Sequence, residues 1–227
     1  MKKINFILVI AFSVFMSGTS TAQSQETTTS MPSFYDLLSQ TMGRIQANNA
    51  PDALMAGVYE LKRISASFPD EWLADYYIAL FDLQSSFVAA PEQKAALITE
   101  AKMKIDLLKD KHDALQSEIY TLDGYYYYAL IAQNPQQNGQ VYYKDVFSSY
   151  QRAISLDATN PRPALMLVIF KSNMAKFMNQ DNTSICADLT NVQKLFDEFE
   201  SKQTLAPTWG LSELKNMQAK FCSTTKN

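Results

Sequence analysis

The side chains that offer the most chemistry in this sequence are tyrosines that stand next to one another. Tyr125 to Tyr128 form a run of four, and pairs occur at Tyr76-Tyr77 and Tyr142-Tyr143. Tyrosine supplies apolar ring area together with a hydroxyl group, so clusters of it are typical of binding surfaces and of helix packing. Four successive helical positions cover about 400° of arc, so at least one tyrosine must point away from a core. The run indicates either a binding surface or large packing residues whose hydroxyls reach water.

Patterns for catalysis and for metal binding are absent from the sequence. His112 is the single histidine, and no second histidine or cysteine lies near it, which favours a solvated surface residue. No HExxH, GxSxG, P-loop or GxGxxG pattern occurs, and the six glycines are scattered. Carboxylates are numerous, but nothing selects a glycosidase-like pair among them. We therefore expect no catalytic residue, no metal and no cofactor.

The first residues have the pattern of a secretory signal. Lys2 and Lys3 precede the almost wholly apolar run from Phe6 to Met16, and Ser20-Thr21-Ala22 places small residues where a signal peptidase cleaves. The apolar run is well short of the ~20 residues that span a bilayer as a helix. We predict a signal peptide over residues 1–22, and a retained membrane anchor is the alternative.

Cleavage there would start the mature chain at Gln23, with a polar, low-complexity tether over residues 23–31. The protein would be exported, either to the periplasm or to the medium. The two lysines leave with the signal peptide, so the formal net charge goes from −3 to −5. A mildly acidic chain without a basic block argues against nucleic acid and anionic membrane surfaces as partners.

The rest of the sequence alternates between amphipathic runs and short breaks. Apolar residues recur at helical spacing, as in Leu97, Ala101 and Ile105, rather than in the strict alternation of strands. Prolines stand where a first helical turn would begin. We predict an all-α protein whose helices lie at roughly 33–47, 52–67, 70–88, 92–109, 114–133, 141–157, 162–178, 184–203 and 208–221.

Cys186 and Cys222 are the only cysteines. In an exported chain, a single pair predicts a disulfide bond, and two free thiols are the alternative. The last two predicted helices would run about 27 Å out and about 21 Å back at ~1.5 Å per residue. In an antiparallel hairpin, the two cysteines would then lie at the same end.

The stretch YQRAISLDATNP, residues 150–161, resembles the second helix and exit of a tetratricopeptide (TPR) repeat. Tyr150 matches the aromatic position, Ala153 the small residue at the tight helix contact, and Asn160-Pro161 the turn. The resemblance implies a right-handed α-solenoid of about four TPR-like antiparallel helix pairs plus a C-terminal capping helix, over residues 32–223. Two further stretches, residues 67–80 and 122–132, match the family loosely, and Gly124 takes the family's glycine position in the second. Because the remainder matches only as helix pairs and the spacing is irregular, an unrelated helical bundle is the alternative.

In TPR-like proteins, the first helix of each pair lines the concave face of the solenoid. With the register set by Gly124, the resemblance implies that Tyr125 and Tyr128 face this groove while Tyr127 packs inside. Register in the other units adds Tyr76, Arg162, Ser172 and Asn173 to the same face.

The leading hypothesis from the sequence is a non-catalytic exported scaffold that binds a protein or peptide partner in a tyrosine-rich concave groove. A structural subunit of a cell-envelope complex is the second hypothesis. A carbohydrate-active enzyme or sugar-binding protein is the third. We expect no nucleic acid partner and no stable membrane insertion once the signal peptide is removed.

Overall fold

The computed structural model describes residues 32–48, 50–181, 184–201 and 203–222. These residues form nine α-helices and no strand, which confirms the all-α prediction. The helices are α1 (Phe34–Ala47), α2 (Pro51–Ser67), α3 (Trp72–Ser86), α4 (Pro91–Lys109), α5 (Gln116–Gln133), α6 (Pro135–Leu156), α7 (Pro161–Phe177), α8 (Ile185–Glu198) and α9 (Leu211–Phe221). The predicted signal peptide and tether lie outside the described residues.

The helices begin where the sequence chemistry favours a first turn. Pro51, Pro91 and Pro161 each occupy the first helical position of their helix, where a missing backbone N–H costs no hydrogen bond. At the start of α1, Ser33 Oγ accepts a hydrogen bond from the backbone N–H of Asp36 at 3.2 Å. The Asp36 carboxylate accepts the backbone N–H of Ser33 in return, so two otherwise unpaired donors are satisfied.

The connection between α5 and α6 is shorter than predicted. The expected break at 133–139 is reduced to Asn134, because α5 ends at Gln133 and α6 begins at Pro135. Asn134 Oδ1 accepts the backbone N–H of Gln137 at 3.3 Å and so caps α6. Most side chains in the first turns of α6 are exposed, so they carry no apolar stripe and their sequence is typical of a loop.

The last connection is longer than predicted. The helices expected at 184–203 and 208–221 are shorter, because α8 ends at Glu198 and α9 begins at Leu211. Residues 199–210, residue 202 apart, form a non-helical stretch that we call the connecting segment. The apolar residues of this stretch do not continue α8. They pack against other helices instead.

A close contact joins α5 to α6, and two small residues allow it. A Cβ atom added to Gly124 would lie 2.5 Å from Cε1 of Tyr150, so the Tyr150 ring rests directly on the glycine. Ala153, about one turn further along α6, is fully buried. Its carbonyl oxygen accepts a hydrogen bond from Ser117 Oγ at 2.9 Å. The small-residue helix contact expected from the TPR-like stretch is therefore present.

The helices pack in chain order, each against the next, and α5 also contacts both α3 and α7. One large apolar cluster runs from α1 to α5, a second joins α5, α6 and α7, and a third joins α7, α8 and α9. Cys186 and Cys222 form the predicted disulfide bond, with their Cα atoms 5.3 Å apart, and tie the start of α8 to the end of α9. Within the described ranges, no helix is long and apolar enough to cross a membrane.

Candidate functional site

An open cavity of about 650 Å³, which we call the cleft, lies between α5, α6 and α7. Among the described residues, no acidic or basic side chain lines it, and its polar groups are the amides of Gln136, Gln140 and Asn173 and the phenol groups of two tyrosines. Its rings and thioethers belong to Tyr128, Tyr143, Phe170, Phe177, Met174 and Met178. Ligand pockets of this size and wall chemistry bind apolar molecules and orient them with a few polar groups.

Large apolar side chains of the cleft are exposed at its mouth. Tyr143 is 39% exposed, Phe177 55% and Met178 46%. Gly139 stands opposite open space, because a Cβ atom added to it would meet no atom within 4 Å. Clustered apolar groups that remain in water mark surfaces that bind something, whereas single ones are ordinary. The cleft is therefore the strongest binding-site candidate in the described part of the chain.

The four consecutive tyrosines of α5 point into different surroundings. The rings of Tyr125 and Tyr128 stack on each other with their centroids 6.3 Å apart. Tyr126 lies under the ammonium group of Lys102 on α4, and Tyr127 packs against Tyr142 on α6 at 5.9 Å. Some tyrosines of the run therefore serve helix packing, whereas Tyr128 lines the cleft, and a binding role for the run stays a prediction.

Tyr128 stands between the cleft and a second, smaller cavity. Its hydroxyl accepts a hydrogen bond from Asn173 Nδ2 at 2.6 Å, and its ring contacts Phe170 and Phe87 at centroid distances of 5.4 and 5.2 Å. Burial raises the pKa of the Tyr128 hydroxyl, and the hydrogen bond from Asn173 lowers it in part. The hydroxyl is therefore protonated at neutral pH and remains a hydrogen-bond donor.

The smaller cavity, which we call the aromatic pocket, measures about 150 Å³. Rings make up half of its lining residues, and one carboxylate stands among them. The lining comprises Gln84, Phe87, Tyr125, Tyr128, Met166, Ile169, Trp209 and Glu213. Burial raises the pKa of the Tyr125 hydroxyl, and the neighbouring Tyr128 and Glu213 raise it further.

A buried polar network lies beside these cavities. Arg162 and Glu118 are 1% and 2% exposed, and Glu118 Oε1 accepts hydrogen bonds from Arg162 Nε and Asn160 Nδ2, both at 2.7 Å. Glu118 Oε2 accepts the hydroxyl of Tyr76 at 2.8 Å. The guanidinium carbon of Arg162 lies 4.5 Å from the centroid of the Phe199 ring. These bonds offset part of the cost of burying the ion pair, although Arg162 Nη1 is buried without a hydrogen-bond partner among the described residues.

The connecting segment, residues 199–210, covers this network. Trp209 Nε1 donates a hydrogen bond to the hydroxyl of Tyr76 at 2.7 Å. The hydroxyl of Tyr77 donates to the carbonyl oxygen of Leu205 at 3.0 Å. Both tyrosines are buried on α3 as a result. The chain itself therefore occupies the surface next to α3 that the sequence predicted to be open.

The six residues predicted to line one open groove differ in their exposure and surroundings. Three of them are buried, which corrects the expectation that they are accessible: Tyr76, Arg162 and Ser172. Of these, Tyr76 and Arg162 are covered by the connecting segment. The other three keep contact with the cavities described above: Tyr125, Tyr128 and Asn173.

Sequence reasoning missed most of the cleft. Gly139 and the glutamines beside it lie in the stretch interpreted as a loop, and Phe177 and Met178 precede a polar break. The signal that could have found them is Asn134-Pro135, an N-cap followed by proline at the first helical position. His112 is exposed and lines neither cavity. In the described parts of the chain, no three His, Cys, Asp or Glu side chains come together to hold a metal ion.

The cleft and its fold can be compared with known proteins. No protein-family model and no curated protein sequence matches this chain. The structure is similar to a solved haemophore. That protein is the HusA haemophore from Porphyromonas gingivalis, with a TM-score of 0.74 and 17% sequence identity over 86% of this chain and 96% of that one. At this identity, the similarity shows a shared helical fold.

Proposed function

We propose that this protein is a non-catalytic, exported carrier that binds a tetrapyrrole such as haem in the cleft. The observation that carries the proposal is a large apolar cleft with aromatic walls and an exposed apolar mouth. The name of the structurally similar protein, a haemophore, supports the same class of ligand. The array of helix pairs would serve as a TPR-like solenoid scaffold that holds α5, α6 and α7 around the ligand.

The wall chemistry suits a flat, conjugated ring system. The rings of Tyr128, Phe170 and Phe177 can stack on a tetrapyrrole or meet it edge-on, and the thioethers of Met174 and Met178 adapt to its outline. The volume of about 650 Å³ falls within the ~300–1,000 Å³ range of pockets that enclose ligands of this size. Because no basic side chain lines the cleft, the carboxylates of such a ligand would stay in water at the mouth.

The side chains of the cleft also fit an iron-containing tetrapyrrole. When bound, haem would supply an iron centre that side chains of the cleft could coordinate. Tyr143 offers a phenol oxygen, and Met174 and Met178 offer thioether sulfurs, which are groups that bind haem iron in proteins. The only histidine, His112, lies outside the cleft and cannot take this role.

An extended peptide is a poorer match than a compact ligand. The connecting segment, residues 199–210, already covers Tyr76 and Tyr77 on α3. The larger of the two cavities has a volume of about 650 Å³, which is the size of a pocket for a compact ligand. We therefore favour a small apolar ligand over the protein or peptide partner expected from the sequence, and a peptide becomes an outcome of the test below.

Export is part of the proposal. The disulfide between Cys186 and Cys222 is consistent with an oxidising compartment outside the cytoplasm. Mass spectrometry of the exported protein should find an N-terminus at or near Gln23. An intact Met1 in that fraction would contradict the predicted signal peptide.

The test is a titration of the purified protein with haemin and, separately, with metal-free protoporphyrin IX. Binding should shift the Soret absorbance band and saturate at one ligand per chain. The informative variant is Gly139→Leu on α6, which adds an isobutyl group at a residue that lines the cleft, where an added Cβ atom meets no atom within 4 Å. Leucine also favours the helix over glycine by up to about 1 kcal/mol, so the fold should be retained.

The matched control is Gly43→Leu on α1. Like Gly139, Gly43 is a helical glycine with no atom within 4 Å of an added Cβ, but it lies outside the cleft. Gly139→Leu should weaken tetrapyrrole binding at least tenfold, whereas Gly43→Leu should leave it unchanged. Equal binding by Gly139→Leu and the wild type would exclude the cleft. Absence of saturable binding by the wild type, or competition for the cleft by an apolar peptide alone, would reject the tetrapyrrole.

A further inference from the structure

The aromatic pocket differs from the cleft in size and in charge. Its volume of about 150 Å³ is below that of typical small-molecule pockets, so it suits a head group rather than a whole drug-sized ligand. Rings of Phe87, Tyr125 and Trp209 line it together with the carboxylate-bearing side chain of Glu213. The face of an aromatic ring carries negative potential, so the rings and the carboxylate favour the same kind of ligand, a cation.

Glu213 brings a negative charge that the described part of the protein does not neutralise. Its side chain accepts a hydrogen bond from the Ser212 hydroxyl at 2.9 Å. None of the ion pairs found among the described residues includes Glu213. The carboxylate is close enough to the Tyr125 hydroxyl to raise the pKa of that group. Because Glu213 lines the pocket together with the rings, its charge lies beside them.

The chain places its own cations on other aromatic rings. In the described residues, lysine and arginine groups lie over rings at these pairs: Lys62 and Tyr59, Lys102 and Tyr126, Lys109 and Tyr120, Arg152 and Tyr120, Arg162 and Phe199, Lys220 and Phe221. None of these rings belongs to the aromatic pocket. The pocket thus combines an acidic group with several rings, and no described side chain supplies the cation that they favour.

We propose that the aromatic pocket binds a small quaternary ammonium group, of the kind carried by choline or betaine. Such a group is a weakly hydrated cation with apolar methyl groups, so it gains from ring faces and loses little water on entry. The carboxylate of Glu213 supplies the opposite charge, and Met166 and Ile169 contact the methyl groups. This site is separate from the cleft and does not depend on tetrapyrrole binding.

The experiment compares choline with 3,3-dimethyl-1-butanol, its neutral analogue of the same shape. Both are titrated at constant ionic strength and followed by calorimetry and by tryptophan fluorescence. Trp209 lines the pocket whereas Trp72 is 4% exposed in the core, so a fluorescence change would report on Trp209. Choline should bind saturably with a millimolar dissociation constant, and the neutral analogue should bind at least tenfold more weakly.

Two variants assign the interaction to the pocket. Glu213→Gln removes the charge and should weaken choline binding roughly tenfold. Its control is Glu92→Gln, because Glu92 is also a glutamate in a first helical turn but lies on α4 and outside the pocket. Phe87→Leu keeps apolar volume but removes a ring, and should weaken choline several-fold without strengthening the neutral analogue.

Three results would overturn the proposal. The first is equal binding of choline and its neutral analogue, which would show that the pocket selects shape alone. The second is unchanged choline binding in Glu213→Gln. The third is loss of choline binding in Gly139→Leu, which would place choline in the cleft instead. Because choline is titrated without tetrapyrrole, failure of the proposed haem binding would leave this result unaffected.

Discussion

Asp82 on α3 is a buried carboxyl group with an incomplete set of partners. It is 2% exposed, and its Oδ2 has no hydrogen-bond partner among the described residues. The nearby lysines are held by other carboxylates. Lys62 Nζ lies 2.6 Å from Glu100 Oε1, and Lys104 Nζ lies 2.6 Å from Asp75 Oδ1. Asp82 therefore gains little from either cation, and its charged form is disfavoured by loss of hydration.

Burial raises the pKa of Asp82 from 3.8 to about 7, and the charge of Glu100 adds to the rise. In the unfolded chain the pKa of the carboxyl group is near 3.8. Between pH 3.8 and about pH 7, the folded protein therefore binds one more proton than the unfolded chain does. The stabilisation from this proton is complete below the unfolded pKa and is lost as the pH rises through the folded pKa. Between about pH 5 and pH 8, the loss should be about 3 kcal/mol, because one pKa unit corresponds to ~1.4 kcal/mol.

The perturbation is Asp82→Asn, which keeps the size of the side chain and stays neutral at every pH. Urea unfolding of the wild type and the variant should be measured from about pH 5 to pH 8. The free energy of unfolding of Asp82→Asn relative to the wild type should rise by about 3 kcal/mol across that range. Asp110→Asn, at an exposed position after α4, should follow the wild-type profile. Parallel profiles for Asp82→Asn and the wild type would refute the reasoning.

Three further changes test the packing, the buried ion pair and the disulfide. Ala153→Leu should overpack the contact between α5 and α6 and cost about 1–3 kcal/mol, and an unchanged thermal midpoint would contradict that contact. Glu118→Gln should leave Arg162 buried without its partner and cost ~3–5 kcal/mol in urea unfolding, part of which the added substitution Arg162→Met should recover. Replacing Cys186 and Cys222 together by serine should cost ~3–4 kcal/mol, while thiol labelling of the unreduced, denatured wild type should find no reactive thiol.

Local rules in the sequence predicted most helices correctly. Pro51, Pro91 and Pro161 begin helices because proline lacks the N–H that a first turn does not use. The contact of Ala153 with α5 was also predictable, because only a small residue permits such a close approach. The helix starts depend on residues within one turn of each other, and Ala153 lies in the short stretch YQRAISLDATNP, so a local pattern records both.

Features that depend on distant parts of the chain were not predictable. Tyr76 was expected in an open groove, but Trp209 from the far end of the chain bonds to its hydroxyl. No local pattern reveals that contact, because it joins residues 133 positions apart in the sequence. The start of α6 was missed for a different reason: its residues face the cleft and water, so they lack the apolar periodicity of a packed helix around Gly139.

The disulfide changes what a single cut in the backbone would do to this molecule. The connecting segment, residues 199–210, lies inside the covalent ring that Cys186 and Cys222 close across 36 positions. A protease that nicks the exposed backbone near Ser201 would leave α9 joined to α8 through sulfur. The two pieces would separate on a gel only after reduction. Trp209 and Tyr76, which share a hydrogen bond in the intact chain, would thus remain in one covalent molecule until a reductant breaks the disulfide.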